Sequence, residues 1–82
     1  MNRFKKDAKR QKKRGKDMRL LSLATRSLAD GEELAASYKD HALIGNWEGW
    51  RDCHLEPDWL LIYRISDEAL ILARTGSHSD IF

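Results

Sequence analysis

The chain has 82 residues, of which 41% are hydrophobic and 34% charged, with a net charge of +2 and one cysteine. A chain this short buries only about 60% of its unfolded surface, so residues 1–82 are expected to form a single domain. Its one cysteine excludes an intramolecular disulfide and a cysteine-rich zinc site, which favours the reducing cytoplasm. No segment approaches the roughly 20 apolar residues of a membrane helix, and the basic N-terminus lacks the apolar core of a secretory signal, so no membrane partner is expected.

Charge is distributed unevenly along the chain. Ten lysines and arginines and two aspartates fall in residues 1–19, whereas the other residues include five cations and eleven acids. A dense basic segment on an otherwise acidic chain indicates a surface for phosphate backbones or for an acidic protein partner. A solvated helix face or a disordered basic tail is the alternative interpretation.

Two helices are predicted at the start of the chain. Residues 3–14 form a short helix that Gly15 ends, and Asp17 is placed to cap a second helix running to about Asp30. Leucine and alanine recur at helical spacing in the second helix, and Gly31 follows as a stop. The two segments are expected to form a helical hairpin that is basic outside and leucine-rich inside.

The second half is predicted to be a β-meander after a loop at 38–49. Strands separated by turns are expected at 50–55, 59–65 and 69–75. Ser77 and Asp80 have capping-box spacing, which predicts a short C-terminal helix containing His78. The predicted fold class is α+β, with the N-terminal helical hairpin packed on one face of a small antiparallel sheet.

The candidate catalytic side chains lie in the C-terminal half, which contains all three histidines. Asp52 and His54 are two apart in one strand and point to the same face, whereas Cys53 points to the opposite face and is assigned to the core. Antiparallel strands bring their ends together. Four side chains are therefore expected to converge at one end of the sheet: His54, Asp58, Arg74 and His78.

These residue types suit RNA cleavage through the 2′-hydroxyl. One group must remove the 2′-OH proton, another must protonate the leaving 5′-oxygen, and a cation must stabilise the charge on the phosphate. Histidine, with a reference pKa of about 6.5, suits both proton roles, and arginine matches two phosphate oxygens. No metal or other cofactor is required, and the histidines lack a recognised zinc-ligand spacing. Trp59 is the tryptophan most suited to stacking on a base, while Trp47 and Trp50 are expected in the core.

From residue 38 onward the sequence contains a dense series of motif residues: Tyr38-Lys39-Asp40-His41, Leu43, Gly45, Trp47, Gly49, Arg51-Asp52, His54, Glu56-Pro57-Asp58-Trp59, Ile62-Tyr63, Arg74-Thr75-Gly76, His78 and Phe82. This series resembles the YafQ family of toxins, within the RelE superfamily, and the resemblance covers about residues 16–82. Residues 3–15 match more loosely as a basic helix. The resemblance implies a toxin of a type II toxin–antitoxin system, an endoribonuclease that cleaves messenger RNA in the A site of the 70S ribosome. It also implies neutralisation by a cognate antitoxin protein.

Carried over position by position, the resemblance implies catalytic roles for His41, His54, Asp58 and His78. It implies a phosphate contact for Arg74 and supporting active-site positions for Asp52, Trp59 and Phe82. Our hypothesis assigns proton transfer at the scissile phosphate to His78 and activation of the 2′-OH to His54 and Asp58. His41 is assigned to orienting the phosphate.

With this resemblance, the basic first helix becomes the expected ribosome-docking face, since ribosomal RNA offers a continuous phosphate surface. Its cations are Lys5, Lys6, Lys9, Arg10, Lys12, Lys13 and Arg14. An acidic or amphipathic antitoxin segment could cover the same face.

Two other functions are compatible with parts of the sequence. A non-catalytic RNA- or ribosome-binding module could use the same scaffold, and a DNA-binding regulator could use the basic helix. The regulator would need base-reading residues, because lysine and arginine contacts to phosphates carry no sequence readout. One departure from the family concerns the N-terminus, where members usually have a short β-strand before the first helix. Residues 1–3 leave almost no room for it, so we expect a sheet without that edge strand or a chain that starts late.

Overall fold

The chain folds as two helices, a four-stranded antiparallel sheet and a short last helix. The structure is a computed structural model that describes residues 2–82. Its helices are α1 (Asn2–Lys13), α2 (Met18–Ala29) and α3 (His78–Ile81). Its strands are β1 (His41–Ala42), β2 (Arg51–Glu56), β3 (Trp59–Ile65) and β4 (Leu70–Gly76). The predicted α+β class is confirmed.

Local capping chemistry sets the helix boundaries that were predicted. The Asp17 side chain accepts a hydrogen bond from the backbone N–H of Arg19 at 3.0 Å, which satisfies one of the free donors at the start of α2. Gly31, with a φ of 76°, lies just beyond the end of α2. Helix α2 therefore begins and ends where the sequence predicted.

The sheet has the order β1-β2-β3-β4, with every neighbouring pair antiparallel. Strand β3 lies between two partners, and its first five residues are buried, which explains its nearly continuous apolar sequence. The predicted loop at 38–49 was partly wrong, because it contains β1 and a short 3₁₀ turn, Gly45–Trp47, and begins at the end of another, Ala36–Tyr38. A two-residue strand has no alternating pattern by which a sequence could reveal it.

The hydrophobic core lies between the helices and one face of the sheet. Its buried cluster joins α2 to β2 and β3 through Leu21, Leu28, Cys53, Trp59, Leu61 and Tyr63. Phe4 and Ala8 of α1 pack against this cluster, so both long helices serve the same core. The core assignment of Cys53 is confirmed, and burial raises the pKa of its thiol to about 12.

Helix α1 also covers the outer edge of β4 with a carboxylate. Asp7 is buried, and its Oδ2 accepts a hydrogen bond from the backbone N–H of Thr75 at 3.3 Å. An outward N–H on an edge strand is otherwise a free pairing site, so Asp7 occupies it as a neighbouring strand's carbonyl would. Within residues 2–82 no strand precedes α1, and Met1 lies outside the described residues. None of the helices in this range is long and apolar enough to cross a membrane.

Candidate active site

The candidate site lies at the end of the sheet where β4 leads into α3. Strand register places His54 opposite Leu60, and Leu60 opposite Gly76, so β4 ends level with His54, on the other side of β3. Helix α3 begins two residues later with His78, whose ring centroid lies 5.7 Å from that of His54. The two rings meet edge to face, at an interplanar angle of 70°. Of the four side chains predicted to converge, His54 and His78 do so, and Asp58 joins them through its bond to His78. The Arg74 guanidinium instead binds Asp7 of α1.

A capping box holds His78 in place. Ser77 Oγ accepts from the backbone N–H of Asp80 at 3.2 Å, and Asp80 Oδ2 accepts from the backbone N–H of Ser77 at 2.9 Å. Gly76 fits closely beside this box, because a Cβ at that position would lie 2.8 Å from Asp80 Oδ2 and would displace the Asp80 side chain. The Gly76-Ser77 sequence thus turns the chain sharply from β4 into the helix that carries His78.

Asp58 fixes the orientation of the His78 ring. Its Oδ1 accepts from the backbone N–H of His78 at 2.9 Å and lies 2.5 Å from Nδ1 of the same residue. These two hydrogen bonds, the backbone one first, lower the pKa of Asp58, so the group stays an ionised acceptor. Nδ1 of His78 therefore carries a proton toward Asp58, which leaves Nε2 as the ring atom available for chemistry.

His41 is also held through Nδ1, in its case by a backbone carbonyl. Its Nδ1 donates to the carbonyl oxygen of Lys39 at 2.8 Å and lies 3.1 Å from Oδ1 of Asp52, its partner across β1 and β2. A carbonyl can only accept, so Nδ1 must carry the proton and Nε2 is free. The side chains of His41 and His78 are each 55% exposed, so both reach solvent.

Asp52 is a buried carboxylate that the histidines surround. Burial raises the pKa of Asp52. Positive charge on the histidines opposes this shift, with His41 contributing most, followed by His54 and His78. Its Oδ1 receives no well-aligned hydrogen bond, even though Nδ1 of His41 lies close to it. All three histidines are therefore near enough to one acid for their charges to act on it, with Asp52 beneath them.

The prediction that Trp59 stacks on a base is wrong. Its side chain is 0% exposed and its indole N–H donates to Thr75 Oγ1 at 2.9 Å, so the ring belongs to the core that supports Asp58. The expectation of a core position for the other two tryptophans is also wrong in part. Trp47 and Trp50 are half-buried and contact each other edge to face.

Arg74 is enclosed by protein. Its side chain is only 9% exposed, and its Nε and Nη2 bind the two carboxylate oxygens of Asp7 at 2.6 and 3.1 Å. Nη2 also lies 3.4 Å from the backbone oxygen of Asp80. The structure thus places the arginine in a buried ion pair that joins α1, β4 and α3, and this pair would have to open before the same nitrogens could bind a phosphate.

Phe82 is an exposed aromatic residue directly after α3, the helix that begins with His78. It is 60% exposed, and its backbone N–H donates to the carbonyl oxygen of His78 at 2.8 Å. Its side chain is therefore available for stacking in the way that was expected of Trp59.

The seven cations predicted to dock on the ribosome divide into two groups. Arg14 forms two hydrogen bonds to the Asp80 carboxylate, at 2.6 and 3.1 Å, and Arg10 lies 3.8 Å from the same group. This pairing, with the capping box, lowers the pKa of Asp80. The second group is exposed and consists of Lys5, Lys6, Lys9, Lys12 and Lys13. In the part of the chain that the structure describes, no three histidine, cysteine or acidic side chains are arranged to hold a metal ion.

Two acids important to the geometry were not singled out from the sequence. Asp7 is the acidic member of the buried stripe of α1, spaced with Phe4, Ala8 and Gln11, and an acid on such a stripe indicates a buried partner. Asp40 directly precedes His41, and its side chain binds Arg51 and Tyr63. Its position inside the Tyr38–His41 motif was a signal that could have been used.

Comparisons with known proteins identify the family and the fold. The family model for YafQ, a bacterial toxin of type II toxin–antitoxin systems, matches residues 1–82. The mRNA interferase toxin YafQ of Escherichia coli K12 is 48% identical over 80 residues, which cover 96% of this chain and 87% of that protein. A crystal structure of YafQ from E. coli BL21(DE3) has a TM-score of 0.96 at 43% identity, covering 100% of this chain and 92% of that one. The E. coli DinJ–YafQ toxin–antitoxin complex has a TM-score of 0.93 at 44% identity, covering 100% and 91%. The chain therefore belongs to the YafQ family of bacterial toxins from type II toxin–antitoxin systems.

Proposed function

We propose that this chain is an mRNA interferase that cleaves messenger RNA on the ribosome, with no cofactor in the chemical step. The observation that carries the proposal is the pairing of an ionised Asp58 with His78, beside His54. His41 presents a second free Nε2 on the same surface. Two exposed histidines with defined tautomers supply the two proton transfers that cleavage through the 2′-hydroxyl requires.

In the proposed reaction, Nε2 of His41 removes the 2′-OH proton and the 2′-oxygen attacks the adjacent phosphorus. The bond from phosphorus to the 5′-oxygen breaks, leaving a 2′,3′-cyclic phosphate. Nε2 of a protonated His78 donates a proton to the departing 5′-oxygen, and Asp58 stabilises the positive charge on that ring. Our initial hypothesis assigned activation of the 2′-OH to His54 and Asp58 and orientation of the phosphate to His41. We revise it because Asp58 is bonded to His78, and because His41 is the other histidine whose bonding leaves Nε2 free. His54 is assigned to stabilising the phosphate charge.

Messenger RNA is held in this scheme by groups next to the histidines. Phe82 is exposed and lies four residues after His78 in the sequence, so we assign it to stacking on a base. Asp52 is assigned to orienting His41, since its Oδ1 lies 3.1 Å from His41 Nδ1. The buried Trp59 is assigned to packing under Asp58. Arg74 is assigned to holding α1 against α3, and the phosphate contact implied by the family resemblance becomes secondary to that role.

We further propose that the exposed lysines of α1 dock on ribosomal RNA. Replacing Lys6, Lys9 and Lys13 with alanine should weaken ribosome binding and reduce the slope of log K against log salt by about 2 to 3. Sedimentation at several salt concentrations measures both effects. Arg26→Ala, which removes an exposed cation from α2, is the control and should leave the slope unchanged. An unchanged slope in the triple variant would contradict docking through α1.

A cognate antitoxin is the other proposed partner. The relative from E. coli forms a complex with DinJ. The match to the toxin of that complex covers 100% of this chain and 91% of that one. We propose that an antitoxin encoded with this chain binds it and blocks cleavage. Co-expression of the neighbouring gene should restore growth to cells that produce the toxin.

Primer extension on a reporter mRNA in a reconstituted translation system tests the activity. We expect cuts at a fixed position within codons, only when ribosomes are present, and unchanged by a metal chelator. Cleavage of naked RNA would contradict ribosome dependence. Intact RNA with the protein bound to ribosomes would instead favour the non-catalytic binding module.

A further inference from the structure

A polar cluster behind His41 is not used by the proposed chemistry. Its centre is Asp40, whose side chain is 21% exposed. Arg51 Nε donates to Asp40 Oδ1 at 2.8 Å, and the hydroxyl of the buried Tyr63 donates to Asp40 Oδ2. The two donors come from β2 and β3, so Asp40 is tied to the central strands of the sheet.

Asp40 lies between His41 and Lys39, the residue whose carbonyl oxygen determines the tautomer of His41. Lys39, on one side, has a φ of 49° in the left-handed region, which side-chain-bearing residues rarely adopt. Its carbonyl oxygen accepts the hydrogen bond from His41 Nδ1 at 2.8 Å. An unfavourable backbone conformation persists only where the surroundings hold it. Here the Lys39 N–H donates to the carbonyl oxygen of Ala36 at 3.0 Å, and the side chain of Asp40, the next residue, is anchored to the sheet.

We propose that Asp40 is a positioning residue for His41. By fixing the peptide between Lys39 and His41, it holds the Lys39 carbonyl against Nδ1, so that Nδ1 carries the proton and Nε2 stays unprotonated toward substrate. The consequence for cleavage rests on the proposed function, whereas the consequence for the tautomer does not. Without the carbonyl, only the poorly aligned carboxylate of Asp52 would favour a proton on Nδ1.

Nitrogen-15 NMR of the histidine-labelled full chain tests the proposal, at a pH where the rings are neutral. In the wild type, we expect the His41 signals of an Nδ1–H ring. In Asp40→Asn, the Nε2–H form should increase. Cleavage on programmed ribosomes should fall about 10- to 100-fold, the loss found when a partner that orients a metal-ligating histidine is removed, with ribosome affinity unchanged. Glu48→Gln, which removes an exposed carboxylate from the following loop, should change neither quantity.

An Nε2–H ring in the wild type, or an unchanged tautomer in a folded Asp40→Asn protein, would overturn the proposal. If Asp40→Asn does not fold, Arg51→Gln removes the half-exposed side of the cluster and should shift the tautomer in the same direction. A tautomer shift without any cleavage by the wild type would support the positioning role while contradicting the proposed function.

Discussion

Replacing His78 with alanine is expected to abolish mRNA cleavage while leaving the fold intact. The ring is 55% exposed, and the capping box and the hydrogen bond from the His78 backbone to Asp58 do not involve it. Loss of a positioned proton-transfer group should lower the single-turnover rate on programmed ribosomes by about 10²- to 10⁴-fold. Circular dichroism and thermal unfolding should match the wild type.

Two comparisons separate this effect from a general disturbance of α3. Ser79→Ala changes the neighbouring residue of the same helix and should retain nearly full activity. Asp58→Ala should lower the rate, and adding it to His78→Ala should cause little further loss, because Asp58 acts through the His78 ring. A folded His78→Ala protein that cuts at the wild-type rate would exclude His78 from the reaction.

Replacing Asp7 with alanine is expected to reduce the free energy of unfolding by about 3–5 kcal/mol, the usual cost of removing one partner of a buried ion pair. The pair is almost fully enclosed, with Asp7 2% and Arg74 9% exposed, so the remaining guanidinium would be buried without its bonded carboxylate. The same change leaves the backbone N–H of Thr75 without its acceptor. Urea denaturation measures the loss directly.

Asp17→Ala is the matched control, since it removes an aspartate from the neighbouring helix at an exposed cap. It should cost only about 1 kcal/mol. If Asp7→Ala is unfolded, Asp7→Leu combined with Arg74→Met should recover a folded protein, because apolar side chains of similar volume often replace buried pairs at little cost. Equal losses for Asp7→Ala and Asp17→Ala would mean that the Asp7–Arg74 pair does not hold α1 to the sheet.

Features that depend on neighbouring residues could be predicted from the sequence. The cap at Asp17, the capping box from Ser77 to Asp80 and the apolar strand β3 each follow from interactions within a few residues or from a repeating pattern. The family motifs from residue 38 onward likewise identified the histidines. The convergence of His54 and His78 followed from antiparallel order alone.

Partners that are distant in the sequence were decided only by the tertiary structure. Asp7 and Arg74 are 67 residues apart, and Asp58 and His78 are 20 apart, so no local pattern shows which acid binds which base. Burial of Trp59 likewise depends on the helices that cover the sheet. The family, the fold class and the candidate catalytic groups follow from the order of the residues. Tertiary packing decided which of them face solvent and which nitrogen of each histidine is free, because burial and hydrogen-bond pairing depend on contacts between separate elements.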